Sequence, residues 1–350
     1  MKQSLLLIAA VLFVSPAAAQ PTDIEVESGS SFLHERTGAE LPAAIGALQR
    51  VQIADFGQQQ FDIIARYQNE ERNTEISIYI YRAGLPDVSL WFDRVLMTIT
   101  RRDGFEPTTP DDVVVTAFTP PGHSGDTGLR MSYAPRPDER FAGTAAALAR
   151  YGDWLVKVRA SSTYFDPDLM GRLVDIVFEQ IELPDGIGAP GLAYLVEPCT
   201  TELLTAEAQQ LSLDTFDALP LSMLFGGVGQ TVTADGEEIE PEPVRYCRDV
   251  LSTDNYGVYR ANEAPDGYVV AFSDAGAAIS VGRGNTLLDL LRDVDGSVAV
   301  TLQTSDGNLV YLPFDALPVP TVAVAVIDGQ SPIAASDRSG NLQIFVNESE

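Results

Sequence analysis

One place in the chain sets serine, histidine and an acid together, Gly122-His123-Ser124-Gly125-Asp126. Such a trio suggests acyl transfer, in which a base activates a hydroxyl nucleophile. The spacing argues against it. A nucleophile elbow needs Gly-x-Ser-x-Gly between a strand and a helix, whereas here Asp126 stands two residues after Ser124 and Pro120-Pro121 lead in. Three neighbouring side chains also cannot line up nucleophile, base and orienting acid, which meet in space from separate elements. The segment reads as a glycine-rich surface loop.

The other constellations are equally incomplete. His34-Glu35 lacks the second histidine of a zinc-protease helix, and His123 is the only other histidine in the chain. The run Asp235-Gly236-Glu237-Glu238-Ile239-Glu240-Pro241-Glu242 offers the oxygen ligands that calcium takes, but not the EF-hand spacing, so a solvated acidic loop is expected. A strand over Ala277–Val281, then Gly282-Arg283-Gly284-Asn285-Thr286, then a helix predicted over Leu287–Leu291, imitates a phosphate-binding turn. A helix N-terminus attracts anions and Arg283 would add charge, yet the third glycine and the βαβ unit are missing. Arg245 and Arg248 flank Cys247 in a very acidic segment, where they either pair with nearby acids or receive an anionic ligand. Arg245, Arg248 and Arg283 are therefore the candidate binding residues. No catalytic residue is assigned, and neither a metal nor a cofactor is expected.

The two cysteines, Cys199 and Cys247, are too far apart in sequence for a Cys-x-x-Cys redox pair. In an oxidising compartment an isolated pair is expected to form a disulfide, which for a loop of this length stabilises by about 4 kcal/mol in the chain-entropy model. The first nineteen residues point to that compartment. Lys2 supplies the positive charge, Leu5–Val14 is apolar, and Ala17-Ala18-Ala19 offers small side chains for cleavage before Gln20. The apolar run is half the length a membrane span needs. A signal peptide over 1–19 and a periplasmic or secreted protein are expected.

Net charge is −28, so nucleic acid and anionic lipid are disfavoured as partners. From Gly186 onward 24 acids face six arginines and no lysine. An apolar content of 45% nevertheless excludes a disordered chain.

The stretch Pro184-Asp185-Gly186-Ile187-Gly188-Ala189-Pro190-Gly191 cannot sit inside a helix or central strand and reads as a linker. It divides the chain into a domain over 20–183 and another over 192–350, each expected to carry its own core. In the first, Phe61–Tyr67 and Glu75–Arg82 make a hairpin, with Ile76, Ile78 and Ile80 alternating against Ser77, Tyr79 and Tyr81. Asp87–Ile99 has helical spacing with Leu90, Trp91, Val95 and Ile99 on one stripe. Val113–Phe118 and Leu129–Tyr133 read as strands. Thr144–Tyr151 and Trp154–Ser161 form a second hairpin, expected to be apolar on one face and at least half wet on the other. Asp166 and Pro167 open a closing helix whose stripe holds Leu169, Met170, Leu173, Val174, Val177 and Ile181. This order of elements resembles the small PsbP-type sandwiches, a likeness of shape that carries no motif and implies no function.

In the second domain, Thr201–Leu211 and Leu213–Phe225 have helical composition. Strand signals then follow in three hairpin-like segments, the last pairing Thr321–Ile327 with Asn341–Val346. The expected fold class is α+β: an N-terminal antiparallel sheet with packed helices, followed by a mainly antiparallel β domain with one or two short helices. The function expected is that of an exported envelope protein, a non-catalytic module binding another envelope protein or a small ligand. The alternative is a secreted hydrolase with an acidic site between the domains.

Overall fold

The computed structural model describes residues 21–57, 59–183, 191–211, 244–283, 297–339 and 341–345. The signal segment, the linker residues 184–190, the helix predicted over Leu213–Phe225, the acidic loop and residues 284–291 lie outside them. The described chain is mostly antiparallel β, with three α-helices.

The first segment contributes β1 (Thr22–Asp23), β2 (Phe32–Leu33), β3 (Glu40–Leu41), β4 (Ala44–Ile45), β5 (Leu48–Asp55), β6 (Asp62–Gln68) and β7 (Thr74–Arg82). Helix α1 (Val88–Thr100) follows, then β8 (Val114–Phe118), β9 (Gly128–Tyr133), β10 (Gly143–Tyr151), β11 (Trp154–Ser162) and helix α2 (Pro167–Gln180). The large sheet runs β1-β5-β6-β7-β11-β10-β9-β8, with β4 on β5 and β2–β3 as a separate ribbon.

Both expected hairpins are present. Asp62 pairs with Tyr81 and Gln68 with Glu75, and Asn69 Oδ1 closes the turn by accepting from the amides of Asn73 and Thr74. Asp87 caps α1 by accepting from the Leu90 amide at 2.8 Å, and Trp91 is fully buried with its indole N–H donating to Leu85 O. Asp166 caps α2 in the same way, with Pro167 at the first helical position. Of the α2 stripe, Met170, Val174, Val177 and Ile181 are buried, whereas Leu169 is exposed.

The half-wet face expected of the β10–β11 hairpin is a correction. Ala146, Leu148 and Leu155 are buried on that face, and Lys157 with them. The cause is tertiary cover. One sheet face packs on α2 and the β2–β4 region, and the opposite face on α1 and strands of the second segment.

That second segment forms a meander in strict chain order: β12 (Tyr246–Arg248), β13 (Tyr256–Ala261), β14 (Gly267–Phe272), β15 (Ala278–Arg283), β16 (Val298–Gln303), β17 (Gly307–Phe314), β18 (Ala334–Asp337) and β19 (Leu342–Ile344). Every neighbouring pair is antiparallel. Two expectations fail here. Thr201–Leu211 contains no helix and runs as an irregular strap, with Gln210 bridging to Phe314. Thr321–Ile327 is not a strand but lies inside helix α3 (Pro320–Gly329), and β19 pairs with β18 instead. The β-branched alternation suggested a strand, but Pro320 opens a helix whose Ala323 and Val326 pack into the core formed with β13–β17.

Among the described residues, three hydrophobic clusters fill the interior. One belongs to the first segment and one to the second. The middle cluster joins Tyr81, Trp91, Leu148 and Leu155 to Tyr259, Val269, Ala271 and Ala278, so the two sheets share a core between them. At its edge the backbones touch directly: the Gly84 amide donates to Gly276 O at 2.9 Å.

Candidate functional site

A cleft of about 630 Å³ opens where α1 and the edge of the first sheet meet the chain leading to Cys199. Its walls are apolar. Phe92, Leu96 and Met97 come from one side of α1, Val115 and Leu129 from β8 and β9, and Leu195 and Val196 from the extended segment after the linker. That segment is held over the helix by the Tyr194 amide, which donates to Ser89 Oγ at 3.0 Å, and by Tyr194 Oη, which accepts from the Tyr246 amide. The Cys199–Cys247 disulfide, with Cα atoms 4.9 Å apart, fastens the segment to β12.

The polar groups are few and already paired. Arg248 Nη1 donates to Asp93 Oδ1 at 2.6 Å, and Tyr259 Oη donates to Asp93 Oδ2 at 2.7 Å. Burial pushes the Asp93 carboxyl above its ordinary range, with Arg248, Tyr259 and Arg94 pulling against that shift. Burial and the adjacent Asp93 charge together push the Tyr259 phenol far up, so it remains a donor. At the mouth Arg136 pairs with Glu106 and Glu139, and Arg101 with Asp254. Beside the cleft, the loop of Gly122-His123-Ser124-Gly125-Asp126 forms no triad. His123 Nδ1 bonds Thr127 Oγ1 and its ring meets Tyr151 edge-on, while Asp126 accepts from Thr119 Oγ1. His34 is likewise a buried structural group, bonded to Thr37 Oγ1 and Gln60 O.

Of the three arginines singled out in the sequence, Arg248 lines the cleft. Arg245 stacks its guanidinium 4.5 Å over the Tyr194 ring and does not line the cavity. Arg283 ends β15 and borders a separate groove of about 320 Å³ with Tyr268 and Val281. The fold therefore does not gather the three at one place. The sequence reading missed Asp93 and Tyr259. The visible signal was Asp93-Arg94 inside the apolar run Leu90–Leu96, since a charged pair on a core-facing helix needs partners from elsewhere. Arg94 finds its own in Ser273 O, at 3.0 Å.

Among the described residues no three His, Cys, Asp or Glu side chains are placed to hold a metal ion, and no helix is long and apolar enough to cross a membrane. The chain matches no known family model and no curated protein sequence.

Proposed function

We propose that this protein is an exported, periplasmic or secreted, non-catalytic module that binds a small apolar or amphipathic ligand in the cleft between α1 and the Leu195–Val196 segment. The first segment then acts as an α+β layer whose helix α1 supplies one wall, and the second segment supplies the other. The observation that carries the reading is the cleft itself, with apolar walls and a handful of polar groups at its rim. Its volume of about 630 Å³ lies in the range of small-molecule sites. The disulfide fits an oxidising compartment.

The hydrolase alternative asks for a carboxylate free to act on substrate. The two carboxylates that line the cleft among the described residues, Asp93 and Glu106, are both held by arginines, which favours binding over catalysis. The test is fluorescence titration of the apolar dye N-phenyl-1-naphthylamine. Leu96 and Met97 are half-buried on the cleft wall, so Leu96→Trp or Met97→Trp fills the space without entering the core. The full chain is expected to bind the dye, and either tryptophan to abolish binding while melting stays cooperative. Dye binding that persists in both variants would overturn the reading.

A further inference from the structure

A second cavity, of about 340 Å³, opens on the same sheet face across the turn that follows α1. That turn gives Arg101 and Glu106 to the apolar cleft, and Arg102 and Phe105 to this one. A cross-strand row runs inward from the rim, with Arg66 on β6 opposite Ser77 on β7, and Ser77 opposite Arg159 on β11. Arg102 and Arg140 bring the guanidinium groups to four, with Glu75 the one carboxylate among the described lining residues. In a chain of net charge −28 such a gathering runs against the overall balance.

None of the four arginines forms an ion pair among the described residues. Arg66 Nη1 donates to Gln52 Oε1, and Arg140 Nη2 makes a long bond to Arg72 O. Arg159 is held differently. Its guanidinium lies 4.2 Å over the Phe105 ring, and its Nη2 is buried with no hydrogen-bond partner among the described residues. Arg140 lies 4.8 Å over Phe141, and the two phenylalanine rings stack at 5.0 Å. A guanidinium stacked on a ring is fixed in orientation but keeps its N–H edge for a planar, bidentate acceptor. Four like charges with one opposing carboxylate repel one another, and a buried donor without an acceptor is costly. A bound anion relieves both.

We propose that this cavity binds a compact small-molecule polyanion, one presenting two or more negative charges as phosphate or carboxylate groups. The site stands independently of the apolar cleft.

The test is calorimetric titration of the full chain, in low-salt buffer free of phosphate, with pyrophosphate, citrate and benzoate. One molecule of pyrophosphate or citrate is expected to bind per chain, and benzoate at least tenfold more weakly, by roughly one charged hydrogen-bonded contact. Preference for pyrophosphate identifies a phosphate ligand, and preference for citrate a polycarboxylate. Arg66 and Arg140 are exposed at the rim, so Arg66→Gln and Arg140→Gln should fold normally and each weaken binding about tenfold. Arg172→Gln, exposed on α2, should leave binding unchanged. The proposal fails if neither polyanion binds more tightly than benzoate, or if binding ignores both rim substitutions.

Discussion

Lys157 Nζ lies 2.7 Å from Asp274 Oδ2, an ion pair that joins the first sheet to the β14–β15 turn of the second. Lys2 aside, Lys157 is the only lysine in the sequence, and it is spent inside the protein, with its ammonium also 4.1 Å from the Tyr79 ring centre. The two side chains are 7% and 23% exposed, so the pair is dry enough for loss of one partner to strand the other. Asp274→Ala and Lys157→Ala are each expected to lower unfolding free energy by about 2–4 kcal/mol, read by urea denaturation. The double variant should lose less than the sum, since the coupling is removed only once.

Asp62 is the group nearby whose titration shapes stability. Burial raises its pKa to about 7, with Lys157 pulling it down and Asp274 and Asp55 pushing it up. A carboxyl with a raised folded pKa holds its proton longer in the folded state than in the unfolded one. Its contribution is therefore complete below the unfolded value, near 3.8, and is lost as pH rises through about 7. Asp62 alone makes stability fall between pH 4 and pH 8, against the opposite slope of His34 and His123, whose pKa values burial lowers. Asp62→Asn should therefore melt higher than the parent above pH 7 and alike near pH 4. Asp87 and Asp93, also shifted upward, add slope of the same sign that the variant leaves in place.

Arg260 anchors the strap that the disulfide closes. It is fully buried, pairs with Asp249 at 3.1 Å, and donates to the carbonyls of Thr201 and Glu202. Arg260→Met is expected to cost about 3–5 kcal/mol because it leaves Asp249 charged and unpaired in the interior. Replacing both cysteines by alanine should cost about 2–4 kcal/mol, and proteolysis should then reach the 199–205 strap first.

At Gly84 the backbones of the two halves approach closely. A Cβ there would lie 2.5 Å from the backbone of Gln303, and Gly276, at φ +88°, would bring one to 3.0 Å from Ala83. Neither neighbour is a flexible side-chain end that could move aside. Gly84→Ala should cost about 2–3 kcal/mol by overpacking and weaken dye binding in the cleft as the second sheet shifts.

What the sequence made legible was local. The cap at Asp166, the helical stripe of Leu90, Trp91, Val95 and Ile99, the Ile76–Ile78–Ile80 alternation and the isolated cysteine pair each carry their signal within a few residues or by elimination, and all four features are present. What it concealed was set by tertiary cover. The outer face of β10–β11 is buried only because α1 and the second sheet lie on it, and α3 wins over its own strand-like alternation by packing beneath β13–β17. The two cavities were hidden for the same reason. Arg66, Arg102, Arg140 and Arg159 stand on four separate stretches of chain, and nothing in their sequence neighbourhoods marks them as neighbours.

The most direct test of the account is an NMR titration of the isotope-labelled full chain with N-phenyl-1-naphthylamine. Amide shifts confined to residues 89–101, 106, 113–115, 129, 136, 195–196 and 248 would place the ligand between α1 and the Leu195–Val196 segment, as expected from the cleft. Shifts that cluster on other surfaces, or an absence of saturable shifts, would contradict it.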